Sequence, residues 1–263
     1  MTYQCVRTKE KIVVDGDLNK PVWQQALKSP RFIDVIGGNP GLYDTRSALL
    51  WDDEYLYVAF WCEEPYPEAH LTKRDDLLWF ENDIEVFIDG GDTYYELQLN
   101  ALNNIYEVFY IWKDAYLADQ KYRQDFDILE HQGQSFGGNH DRNGKYFWVG
   151  SHPRGNRWAF RNWDLPGLKT AVKIDGTLND ITQPSKGWTV ELAFPWQGMQ
   201  WLANGRSLPP KAGDHWKLFL GRYQKLNLNG QEVHVGWAWD KIGTDDNHYP
   251  ERFTVIEFVE QEL

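Results

Sequence analysis

Residues 83–100 read DIEVFIDGGDTYYELQLN, two runs of alternating apolar and polar side chains on either side of a Gly-Gly pair. Alternate residues of a strand point to the same face, so Ile84, Val86 and Ile88 take one face while Asp83, Glu85 and Asp89 take the other with Phe87. If Gly90-Gly91 is a two-residue hairpin turn, Asp89 stands opposite Asp92, Glu85 opposite Glu96 and Asp83 opposite Gln98. Ile84 then meets Leu97, and Val86 meets Tyr95, on the core side. This register gathers Asp83, Glu85, Glu96, Gln98 and Asn100 on a polar outer face, a row of carboxylates and amides able to hydrogen-bond vicinal hydroxyls. Trp79 stands just before the row as a stacking platform. An ordinary solvated sheet face shows the same alternation.

Outward from this hairpin the chain is strand-rich. Residues 105–112 extend it as a meander, and residues 47–51 and 55–62 form a hairpin about Asp52-Asp53-Glu54. Further strands are expected at 11–14, 188–194, 216–222, 235–239 and 254–259, with a short helix near 21–27. So many short strands with so few helices specify an all-β fold, an antiparallel β-sandwich or jelly roll. With no Pro/Ser-rich linker, repeat or low-complexity tract, residues 1–263 read as a single domain.

Composition narrows the partner. The chain holds 14 Trp, 14 Tyr and 13 Phe while its mean hydropathy stays hydrophilic. Leu, Ile and Val are enough to build a core, whereas rings with an available face suit flat, hydroxyl-rich ligands, so the aromatic excess points toward sugar. Any single Trp is still well accounted for as core. The net charge of −12 argues against nucleic acid or an anionic membrane surface, since either needs a clustered basic face. No segment has the apolar length of a membrane span, and the start MTYQCVRTKEK lacks the apolar stretch of a secretory signal. As written the chain reads as cytoplasmic, or as secreted if a signal was removed. Cys5 and Cys62 lie in separate segments and are expected as buried free thiols unless those segments are neighbours.

Several stretches together resemble the family 9 carbohydrate-binding modules, and most closely the longer family 9-like proteins related to the DOMON sandwiches. They are Val14-Asp15-Gly16 with Trp23, LYVAF at 56–60, WFENDIEVFID at 79–89, GWTVELAFPW at 187–196 and HYPERF at 248–253. The resemblance runs through nearly the whole chain in the right order. It implies an immunoglobulin-like or jelly-roll sandwich and a saccharide held between two aromatic platforms by acidic and amide side chains. By position, Trp79 matches the first platform, Glu85 the hydroxyl-binding acid, and Gln98 with Asn100 the polar residues of the next strand. The second platform would fall in DDNHYPERF, at Asn247, His248 or Tyr249, where the family has Trp; Tyr249 or the nearby Trp239 would have to substitute. An insertion at about 113–168 is longer than the compact modules need. It carries Tyr146, Phe147, Trp148, Trp158, Phe160 and Trp163, and either folds over the site or packs on its own rings.

The resemblance also implies structural calcium, for which acidic turns offer oxygen ligands: Asp52-Asp53-Glu54, Asp89 with Asp92, and Asp245-Asp246. No cofactor is required. Histidines such as His131, His140 and His152 lack zinc spacing, and with only Met1 and Met199 as methionines no haem is expected. The function expected is non-catalytic binding of an oligosaccharide or polysaccharide. The alternative is a glycoside hydrolase or lyase using Asp83 with Glu85, or Glu85 with Glu96, as paired carboxylates. No nucleophile elbow or phosphate loop accompanies them.

Overall fold

A computed structural model describes residues 2–137 and 152–262. Its strands are β1 (Thr2–Arg7), β2 (Ile33–Asp34), β3 (Thr45–Trp51), β4 (Tyr55–Glu63), β5 (Asp83–Asp89), β6 (Thr93–Asn100) and β7 (Ile105–Trp112). They continue with β8 (Gln134–Phe136), β9 (Arg157–Phe160), β10 (Lys169–Asp175), β11 (Gly187–Pro195), β12 (His215–Leu228), β13 (Gln231–Ala238) and β14 (Thr254–Glu262). Hydrogen bonding joins them in the order β10-β11-β4-β3-β1-β14-β12-β5-β6-β7-β9-β8, with β13 alongside β12 and β2. Pairing is antiparallel except at β1, which runs parallel to both β3 and β14. So long a twisted path cannot stay one open layer. Its two halves close on each other, and Val58 and Phe60 of β4 share a buried cluster with Val86 of β5 and Leu97 of β6. The architecture is the all-β sandwich expected.

A second, smaller core lies on the outer face of the β11-β4-β3 half. There Ile12, Leu18, Val22 and Trp23 cover Ala48, Leu50, Tyr57 and Ala59. The helix α1 (Pro21–Gln25) opens with Pro, whose missing N–H costs nothing at a first helical position. The clasp is Glu191 of β11, fully buried. It accepts from the backbone N–H groups of Asp15 (2.8 Å) and Gly16 (3.1 Å), from Trp23 Nε1 (2.7 Å) and from Lys20 Nζ (2.6 Å). Two separated motifs, Val14-Asp15-Gly16 with Trp23 and GWTVELAFPW, therefore meet at one carboxylate. This corrects the strand expected at 11–14: those residues are unpaired chain, their alternation serving to bury Ile12, while the first strand is Thr2–Arg7.

The hairpin register also differs from expectation. Glu85 pairs with Gln98, Asp83 with Asn100 and Val86 with Leu97, a slip of two residues. Asp89 pairs with Tyr94, so residues 90–92 and the first residue of β6, Thr93, lie between the paired ends, and neighbouring elements hold Asp92 and Thr93 there. Thr93 Oγ1 donates to the Trp201 carbonyl of α4 (Gln200–Ala203) at 2.8 Å, and Trp112 N donates to the Asp92 carbonyl at 3.0 Å. A slip of two keeps every side chain on its face.

The described part of the insertion holds α2 (Lys113–Ala118), α3 (Gln120–Asp125), β8 and β9, and it extends the sheet beyond β7. Trp158, Phe160 and Trp163 pack in it; His140, Tyr146, Phe147 and Trp148 lie outside the described residues. Cys5 and Cys62 are buried free thiols, and burial pushes the Cys62 thiol up to about 12. No helix among the described residues is long and apolar enough to cross a membrane.

Candidate functional site

The polar face of the hairpin is a grid. One row across the sheet reads Tyr106, Gln98, Glu85 and Gly221 from β7 through β12; the rows beside it hold Asp83 with Tyr223 and Glu96 with Phe87. Expected as a polar outer face, it is in fact buried: Asp83 is 0% exposed, and Glu85, Glu96 and Gln98 are 3%. The strap of residues 244–250 roofs it. Asn247 Nδ2 donates to Glu85 Oε2. The His248 ring packs on Phe87 (5.2 Å) and Phe136 (4.5 Å), with Nδ1 3.1 Å from the Tyr94 hydroxyl. Arg157, fully buried on β9, braces the strap by donating to the His248 carbonyl (2.9 Å), the Tyr94 hydroxyl (2.8 Å) and the Gly137 carbonyl (2.7 Å).

Under the roof, the Gln98 amide bridges two acids: Nε2 donates to Glu85 Oε1 (3.1 Å) and to Glu96 Oε1 (2.8 Å), and the Tyr110 hydroxyl donates to Glu96 Oε2 (2.6 Å). Burial pushes the Asp83 carboxyl well above the usual carboxylate range, and the nearby Glu85, Glu96 and Glu81 add to the effect. Burial likewise raises the Tyr223 and Tyr110 hydroxyls, with the same carboxylates contributing.

Trp79 sits in a 3-10 turn, Leu78–Phe80, that delivers the chain into β5. Its half-buried indole meets the Tyr106 ring edge-on at 5.1 Å, and the Arg161 guanidinium lies 5.9 Å from the ring centre. Trp79 thus borders the grid at its Tyr106 end. Asn100 points to the loop instead, donating from Nδ2 to the Leu71 carbonyl (2.9 Å) and accepting from Leu102 N (3.1 Å) and Asn104 N (3.0 Å). Trp239 continues the alternation of Trp237, on the opposite face of the sheet, and packs on Tyr3 at 5.5 Å inside the sandwich. Tyr249 is buried in the strap against His152 (4.8 Å) and Arg252 (4.6 Å). The fold therefore brings together Asp83, Glu85, Glu96 and Gln98 with Trp79 at the rim, and leaves Asn100, Trp239 and Tyr249 in other surroundings. Asn247, Tyr106 and Tyr110 join the grid without having been singled out as hydrogen-bonding members. For the two tyrosines, alternation along 105–112 carried the signal.

At the acidic turns, protein donors reach at least one oxygen of these carboxylates. Asp52 accepts from Glu54 N (2.7 Å) and the Tyr57 hydroxyl (2.8 Å), Asp92 pairs with Arg154 (2.8 Å), and Asp246 Oδ1 accepts from His248 N (3.0 Å). Among the described residues no three His, Cys, Asp or Glu side chains are grouped to hold a metal. An open groove of about 540 Å³ lies on the other half of the sandwich, lined in part by Trp61 and Trp188. Its charged walls pair with each other, Arg46 with Asp44 (3.2 Å), Lys173 with Asp17 (2.8 Å) and Lys186 with Asp175 (3.2 Å). Such internally matched walls make it the weaker candidate.

Solved structures share this architecture. A family 9 carbohydrate-binding module from Caldicellulosiruptor kristjanssonii in complex with cellotriose superposes with a TM-score of 0.51 at 14% identity, covering 98% of this chain and 94% of the other. The chain has the fold of the family 9 modules. A putative carbohydrate-binding protein from Bacteroides uniformis matches at TM-score 0.58, 12% identity and 98% of both chains. The Caldicellulosiruptor module in complex with glucose matches at 0.51 and 14%, covering 98% of this chain and 96% of the other. No protein-family model and no curated relative matches the sequence. With the family 9 fold, the outer core clasped by Glu191 and the polar grid beside Trp79 occupy opposite halves of the sandwich.

Proposed function

We propose that the protein binds an oligosaccharide or polysaccharide without turning it over, with a sugar ring against Trp79 and its hydroxyls bonded by Glu85, Gln98 and their neighbours Asp83 and Glu96. The observation that carries this reading is the grid itself: carboxylates and an amide at adjacent positions of two paired strands, next to an incompletely buried tryptophan. The fold supports it, because solved proteins of the same architecture were captured with cellotriose and with glucose. A ring stacked on an indole gains on the order of 1 kcal/mol or more beyond its hydrogen bonds. Trp79→Ala is expected to abolish calorimetric binding of cello-oligosaccharides while the unfolding midpoint changes little, since the indole is only half-buried. A variant that unfolds outright would make Trp79 a core residue and remove the platform.

A further inference from the structure

Four buried oxygens on the grid and its roof have no hydrogen-bond partner at normal geometry, Asp83 Oδ1 and Oδ2, Gln98 Oε1 and Asp246 Oδ2, with only the Tyr223 backbone N–H close to the Asp83 carboxyl. Their side chains are at most 3% exposed. Elsewhere among the described residues, the buried side-chain atoms without a partner belong to guanidinium, indole or hydroxyl groups. The orphan carboxyl and amide oxygens among the described residues therefore all lie here. Leaving a buried acceptor unmet is destabilising, so the arrangement calls for an occupant that donates.

Two observations narrow that occupant. Since no three acidic, His or Cys side chains are grouped for a metal among the described residues, a single ion would not satisfy these atoms; the donors must be spread over a larger molecule, as they are around a sugar ring. The surroundings are also strongly acidic: Asp83 lies within electrostatic reach of Glu85 and Glu96, and Asp83, Glu85 and Asp246 all act on Tyr223. A hydroxyl group donates one proton and brings two lone pairs that need donors of their own. An ammonium group donates three, accepts none, and favours the charged form of the carboxyls beside it.

Resting on the saccharide-binding reading above, we infer that the preferred ligand of this face is an amino sugar with a free ammonium group, seated beside Asp83 and Gln98. N-acetylation works against such a site twice: it removes the charge and adds a carbonyl acceptor where the unmet groups are themselves acceptors.

The test is a calorimetric comparison, on the full chain, of three ligands of equal length: a β-1,4-linked glucosamine oligomer, its N-acetylated counterpart and a cello-oligosaccharide. The free-amine oligomer is expected to bind about tenfold or more tightly than either neutral one, and Asp83→Asn is expected to bring that ratio toward one. Equal or tighter binding of the cello-oligosaccharide overturns the ammonium preference and leaves the saccharide reading standing. Binding of none of the three overturns both. If Asp83→Asn keeps the wild-type ratio, the preference comes from the overall charge of −12 and the placement at Asp83 is overturned. The wild-type comparison alone decides the preference should that variant fail to fold.

Discussion

Burial raises carboxyls at two places in this protein, Glu107 and the polar grid at Asp83. Glu107 of β7 is walled in by Arg74 and accepts from Leu165 N at 2.8 Å; burial nevertheless pushes its carboxyl up to about 7. An acid raised in the folded state binds more protons folded than unfolded. Its contribution is therefore fully present below the unfolded value of about 4.5 and is lost as pH rises through about 7, a change of about 3 kcal/mol. Glu107→Gln should flatten the fall in denaturant stability between pH 4.5 and 7; an unchanged slope would mean that the carboxyl is not protonated in the folded protein. In the grid, Glu85→Gln and Gln98→Ala should each weaken saccharide binding by about 0.5–1.5 kcal/mol in calorimetry. Unchanged affinity in both would move the site elsewhere. That Asp83, Glu85, Glu96 and Gln98 share a face was legible because the side-chain period of two survives a two-residue slip. Their burial was not, because the roof comes from Asn247, 162 positions from Glu85 in the chain.

At the scale of elements, the docking of residues 12–26 on the outer face depends on one charge. Glu191→Ala would leave the Trp23 indole and the Asp15 and Gly16 N–H groups without their acceptor, while Lys20 keeps Asp15 (2.6 Å) and the Val13 carbonyl (2.6 Å), and each unmet buried group typically costs about 1–3 kcal/mol. At about 2–4 °C per kcal/mol for a chain of this size class, the melting temperature should fall by about 10 °C or more. A fall of a degree or two would show that apolar contacts of Trp23 and Val22 hold the segment alone. The central strands β5, β6 and β7 were readable to the residue, since each sets one apolar face against the core. Two other strands were harder. β10 carries Lys169, Lys173 and Asp175 on a half-exposed strand, and β1 is recognised only through partners at β3 and β14 far along the chain.

At the scale of the molecule, the proposed binding without turnover would act through one roofed polar face and a rim tryptophan. Prolonged incubation with oligosaccharides should return them unchanged by mass spectrometry, while saturating sugar raises the melting temperature by mass action. A hydrolysis or elimination product that disappears in Glu85→Gln would instead make the paired carboxylates catalytic. The all-β class and the resemblance to the family 9 modules were legible from alternation and motif order. The mixed sheet was not, because parallel pairing of β1 depends on where distant strands end up. The most direct measurement is electron density for a cello-oligosaccharide or glucosamine oligomer soaked into crystals. A sugar ring against Trp79, within hydrogen-bond reach of Glu85 and Gln98, is the predicted result; a sugar seated instead in the groove beside Trp61, with the grid beneath residues 244–250 unchanged, would contradict the account.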